Sequence, residues 1–180
     1  MENSNFYIKI TNKIFSIILF FSSISIFLAL FSFHPEDPGW GVVSENIPKN
    51  FYGDIGSFFS GLVIREFGIL PGLFLSSILF MWSLKLFNET KIEFFKTKLL
   101  TTFFMIFLSS LGGSYLEIHI TQKLNLNLPM FSQTGLSEWL LLNCSNKISD
   151  LTDFDITSSQ TFLGLASLII SLLLFFWILS

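Results

Sequence analysis

The chain is short of charge and almost without cysteine and histidine. Only 13% of its 180 residues are Asp, Glu, Lys or Arg, about half the share of an ordinary globular domain. The net charge of -3 leaves no basic surface for nucleic acid. A single cysteine, Cys144, excludes an internal disulfide and supplies no pair for a zinc site. Most lone cysteines are inert, and this one reads as a small loop residue. No Gly-x-x-x-x-Gly-Lys-Ser/Thr motif occurs, so a Walker-type phosphate loop is excluded. No His/Glu cluster has metal-ligand spacing. No catalytic residue, cofactor or metal is expected, and no direct binding of nucleotide or nucleic acid. Internal repeats are absent too, which argues against an inverted-repeat transporter.

What the chain has instead is long runs without any charge. Ile14–Phe33 is 20 residues, Phe67–Leu84 is 18, Leu99–Leu116 is 18 and Ile156–Ser180 is 25. About 20 helical residues cross the roughly 30 Å hydrocarbon core of a bilayer. The expected fold class is therefore all-α: one four-span membrane domain over residues 1–180, with spans at about 14–33, 67–86, 99–116 and 160–180, and two outer loops. Phe occurs 24 times, which we read as coding bias. Lys9 and Lys13 precede the first run as they would in a signal peptide. The run is longer than the usual apolar core of about 7–15 residues, and no small-x-small cleavage site follows, so an uncleaved span is expected.

Lysine placement gives the orientation. Segments 1–13 and 85–98 hold six lysines in 27 residues, whereas 34–66 and 117–155 hold four basic residues in 72. The positive-inside rule then places both termini in the cytoplasm. Asp150, Asp153 and Asp155 fall outside. Pro35 and Pro38 end the first span. A helical pattern resumes near Ile55 and runs on into the second span, where Pro71 is expected to kink it. In the second outer loop Leu136, Trp139, Leu140 and Cys144 recur at helical spacing. A short interfacial helix anchored by Trp139 and a plain loop fit this pattern equally.

Few residues are candidates for chemistry. His34 and Asp37 share a turn, where such a pair serves more often as a turn contact than as a catalytic dyad. Arg65, Glu66, Glu117 and His119 lie near the outer membrane face, as interfacial anchors or as partners of one another. Small residues form stripes: Gly68, Gly72 and Ser76; Ser109 with Gly113, and Ser110 with Ser114; Gly164, Ser167 and Ser171. Such stripes let helix backbones approach closely, although Gly and Ser are common in membrane helices in any case.

The stretch Ser32-Phe33-His34-Pro35-Glu36-Asp37-Pro38-Gly39-Trp40, directly after the first span, resembles a signature of the N-terminal four-span membrane domain of the FtsK/SpoIIIE family of bacterial DNA translocases. His34, Pro35, Asp37, Pro38 and Trp40 match it, and Gly39 stands where the family usually has Ser. Asn50, Gly53, Gly56 and the Phe67-Gly68 pair fall in corresponding places. The family's Gly-Gly-x-x-Gly in the second outer loop is reduced here to Gly135. The resemblance implies a membrane anchor and assembly domain for a hexameric, ATP-driven DNA pump at the division septum, in contact with the lipid bilayer, with copies of itself and with divisome membrane proteins. A linker and motor domains follow the fourth span in that family. None is present in these 180 residues, so the chain is expected to be the anchor alone, and DNA and ATP to be met only through a motor. The rival reading is a small multispan transport or channel subunit unrelated to division. It would need an intramembrane polar path, and the four runs carry no ionisable residue.

Overall fold

The computed structural model describes residues 2–124, 135–152 and 154–180. Part of the expected second outer loop, residues 125–134 and Asp153, lies outside the described residues. Among the described residues six helices follow one another: α1 (Glu2–Phe31), α2 (Gly53–Phe67), α3 (Ile69–Phe87), α4 (Phe95–Leu124), α5 (Gly135–Leu151) and α6 (Ile156–Leu179). Among the described residues there is no strand, only an isolated bridge between Gly39 and Val42. Tyr7–Phe31, Ile69–Phe87, Phe95–His119 and Ile156–Leu179 are long and apolar enough to cross a membrane. The all-α, four-span class holds. Helix α4 runs well beyond the apolar stretch at both ends, because Lys, Glu and Gln are good helix formers that mark the edge of the lipid without ending the helix.

The second span begins differently from the expectation. The amphipathic helix does not run on through a kink at Pro71. It stops, and a new helix starts, at Gly68, whose φ of 84° is a left-handed value that suits glycine. Pro71 falls in the first turn of α3, where a missing N–H costs no intrahelical bond. Helix α2 is thus free to leave the bundle direction and serve as a separate element.

Packing inverts the pattern of a water-soluble protein. The most extensive helix contacts are α1 with α3 and α4 with α6. Along the first pair Ser16 donates its hydroxyl to the Ser83 carbonyl and Ser23 to the Ser76 carbonyl, each at 2.8 Å. Leu30 then covers Gly72, where an added Cβ would lie 2.5 Å from a Leu30 methyl. Residues 16, 23 and 30 step by seven, the spacing of a helix seam. The second pair is closer still. A Cβ on Gly112 would lie 2.9 Å from the Leu168 backbone, and one on Gly164 would run into the Tyr115 ring. Serines 109, 167 and 171 are buried in the bundle, while Phe103, Phe162 and Phe176 point outward, each about two-thirds exposed. Lipid tails are as apolar as phenylalanine, so close packing of small side chains drives association and large apolar ones face the solvent. Phe74 and Phe175 stack at 4.6 Å to tie the two pairs together. Ile78, Trp82, Met105 and Ile178 form a core where α3, α4 and α6 meet.

The bundle has two distinct ends. One, the lysine end, carries the α3–α4 turn, the start of α1 and the last turn of α6. Lys9 pairs with Glu89 at 2.8 Å there, and Lys85 donates to the Leu179 and Ser180 carbonyls. The other, the platform end, carries residues 32–52, α2 and α5.

Candidate functional site

At the platform end the signature residues form a clasp that fastens residues 32–52 to α1 and α2. Its centre is Asp37, which is 6% exposed. One carboxylate oxygen accepts the Lys49 N–H at 2.9 Å, and the other the Asn50 N–H at 3.0 Å. Bonds to an ionised acceptor are the stronger kind, so Asp37 closes the loop on itself. Asn50, as deeply buried, locks the closed loop to the helices. Its amide donates to the Ala29 carbonyl at 2.8 Å and to Ser60 Oγ at 3.3 Å, and its Oδ1 accepts the Tyr52 N–H at 3.1 Å. Ala29 lies in the last turn of α1, where carbonyls lose their intrahelical partners. Asn50 therefore supplies from a distance what a local C-cap would supply.

The neighbouring signature residues complete the attachment. Arg65 donates to the Pro35 carbonyl at 2.7 Å, and Ser57 Oγ to the Pro38 carbonyl at 2.6 Å. Both proline carbonyls therefore face α2. Trp40 Nε1 donates to Glu66 at 2.8 Å, and its ring meets Phe58 edge-on. The departure at Gly39 has a steric reason: a Cβ there would sit 3.0 Å from the backbone of Ser57 and Phe58, so glycine brings the loop closer to α2 than serine would. Gly56 makes room for Asn50, whose Oδ1 occupies the place a Cβ would take. Gly53 has open space around it and contributes only its φ of 57° at the start of α2. Phe67 reaches a crevice it shares with Phe107 of α4 and Leu136 and Leu140 of α5, next to the break at Gly68.

Helix α5 is present in place of a plain loop, and a face other than the apolar one packs on the bundle. Ser137, Leu141 and Ser145 pack inward, while Leu136, Trp139 and Cys144 are exposed. The small serines allow close approach to the bundle, and the larger apolar residues are left outward, the same inversion as in the spans. Between α5 and the clasp lies an open cleft of about 480 Å³. Trp40, Trp139, Arg65, Glu66 and Glu138 line it.

His34 and Asp37 do come together, but not as a working dyad. His34 Nδ1 lies 3.9 Å from Asp37 Oδ1, beyond hydrogen-bond reach, and Lys49 Nζ sits 3.2 Å from Nε2. Both Asp37 oxygens are already occupied by backbone. Arg65 and Glu66 turn to the loop, and His119 stacks on Tyr115. Among the described residues no group of three His, Cys, Asp or Glu could hold a metal. The stripe residues have contacts within the subunit: Gly72 with Leu30 of α1, Ser76 bonded from Ser23, Gly164 against Tyr115 in the α4–α6 seam, Ser109 buried with its hydroxyl on the Ile106 carbonyl, and Gly113 in ordinary contact with Leu70. Sequence reasoning missed the pairing of Arg65 with Pro35 and of Glu66 with Trp40. It also missed Gly112, whose only sequence signal is its place beside Gly113.

The family model described as the 4TM region of DNA translocase FtsK/SpoIIIE matches residues 8–133, which take in the clasp, the break at Gly68 and three of the four spans. No curated protein and no solved structure matches the chain. The 4TM region is the membrane part of these translocases and not their ATPase motor. A multi-pass bundle that carries this signature as a folded clasp, under a match over most of its length, belongs to the family of the 4TM region of DNA translocase FtsK/SpoIIIE.

Proposed function

We propose that this chain is the membrane anchor and assembly domain of a septal DNA translocase acting in cell division and chromosome segregation. The family match over residues 8–133 is the observation that carries the reading. The lysine distribution supports an inner-membrane orientation with both termini in the cytoplasm and the platform end in the periplasm. Lys9, Lys13, Lys85, Lys91, Lys96 and Lys98 all belong to the lysine end or its adjoining segments. On this reading the clasp and α5 give divisome membrane proteins a rigid surface to meet. The spans hold copies of the chain together, as a hexamer, in register with a DNA motor. The chain itself neither hydrolyses ATP nor binds duplex DNA; those steps belong to motor domains.

A fluorescent fusion tests the role directly. It is expected to concentrate at the division site as the septum forms. A fusion that inserts normally yet stays uniform around the membrane through the cell cycle defeats the septal reading and favours a transport subunit.

A further inference from the structure

The lysine end holds a cation with no acidic group at ion-pair distance among the described residues. Lys98, in the first turn of α4, is 3% exposed. Its ammonium makes no hydrogen bond with the described residues. It lies over the Trp177 ring, 5.6 Å to the centroid, and a ring face supplies only part of a counter-charge. The charged groups that act on it are Lys85, which repels it, and the exposed Glu93. Lys85 gives two of its three donors to the Leu179 and Ser180 carbonyls and keeps one. Lys96, two residues earlier in the same turn, lies on the exposed side of the helix, away from Lys98. A helix N-terminus already carries positive partial charge, and lysines there are placed against its dipole. At the same level Trp82, packed on Phe95 at 5.3 Å, buries an indole N–H without an acceptor.

Two lysines converging on the end of α6, one of them with a buried stem and an ammonium that meets no acceptor among the described residues, describe half of an anion site. The apolar part of α4 begins at Leu99, which sets Lys98 at headgroup depth.

We propose that Lys98, with Lys85 beside it, binds the phosphodiester of an anionic phospholipid headgroup where α3, α4 and α6 meet at the lysine end. The bound lipid supplies the missing counter-charge and joins the end of α6 to the α3–α4 turn. Its acyl chains run along outward-facing residues of the spans. The site does not depend on the septal role, since it rests on the charges of this bundle alone.

Native mass spectrometry of the purified full chain in detergent, titrated with phosphatidylglycerol or phosphatidylcholine, tests this. The wild-type chain is expected to retain one phosphatidylglycerol with roughly thirtyfold preference over phosphatidylcholine, the sum of two lysines acting on an anionic lipid. Lys98→Met and Lys85→Met should each reduce that preference to about fivefold, while Lys98→Arg and the distant Lys147→Met keep it. Equal protection of the fold against heat by inorganic phosphate, at matched concentration, keeps the anion site but assigns its source to solution. Equal retention of the two lipids by the wild-type chain overturns the proposal, whatever the variants do. So does a preference that survives both methionine substitutions.

Discussion

Asn50→Ala is the sharpest probe of the clasp. The change removes three hydrogen bonds, from Asn50 to the Ala29 carbonyl and Ser60 Oγ and from the Tyr52 N–H to Asn50. Each bond contributes about 0.5–1.5 kcal/mol net, and each partner left buried without a substitute costs about 1–3 kcal/mol. Ser60 still has the Gly56 carbonyl to bond, and part of the Tyr52 N–H deficit can be relieved by water. The net loss of loop attachment is therefore about 2–4 kcal/mol. This corresponds to roughly 30- to 1,000-fold more frequent opening of the loop. Hydrogen exchange reads that opening at the amides of Lys49, Asn50 and Tyr52, whose N–H groups are held by Asp37 and Asn50 in the closed form. Asn46→Ala, an exposed asparagine of the same loop, should leave exchange unchanged. The spans should remain as protected as before, because their packing does not pass through Asn50. If Lys49 and Tyr52 keep full protection in Asn50→Ala, the amide does not hold the loop, and the role given to this residue is wrong.

Three further outcomes are expected. Gly164→Ala and Gly112→Ala should each destabilise the α4–α6 seam by about 1–3 kcal/mol, read as a lower melting temperature in detergent, whereas Gly113→Ala, in ordinary contact with Leu70, should match or exceed wild type; equal behaviour of all three would show that the seam is looser than its geometry. Impermeant thiol labelling of intact cells should reach Cys144 and miss Thr90→Cys, both of which are exposed, and labelling of the latter alone would reverse the proposed orientation. Asp155, the N-cap of α6, has its carboxyl held below the usual range by bonds from Ser158 and then Thr157. Its support of the helix start is thus present above the unfolded carboxylate range and lost as pH falls through the lowered folded value. Asp155→Ala should therefore fray the first turn of α6 at neutral pH and make no difference in strong acid, as seen by exchange of the Ser158 amide.

Much of the architecture was legible in the residues because a bilayer imposes a simple rule. A run of about 20 apolar residues has few places to go other than across the lipid, so four such runs gave four spans without knowledge of any contact. The sequence likewise singled out His34 to Trp40 through its prolines, Asp37 and Trp40. It could not show that Asp37 grips Lys49 and Asn50, or that Asn50 reaches back to Ala29, 21 residues earlier. Those pairings depend on where the loop returns, and nothing local encodes that. The same limit applied to the second span. Pro71 looked like the irregular point because proline is the stronger helix breaker, yet Gly68 broke the chain and left Pro71 a harmless first-turn position.

What the sequence by itself determined, then, was the number of spans, the all-α class and the identity of the signature loop. Each follows from the free energy of single segments in lipid or from a short contiguous pattern. Tertiary structure decided which helix face is inside. Apolar residues could not mark that face, because lipid competes with the protein interior for every phenylalanine and leucine. Close approach of Ser16 to Ser83, of Ser23 to Ser76, and of Gly112 to Leu168 selected it instead. Only the packed helices also reveal that Lys98, ordinary in the sequence, buries its stem over Trp177 with no acceptor for its ammonium among the described residues.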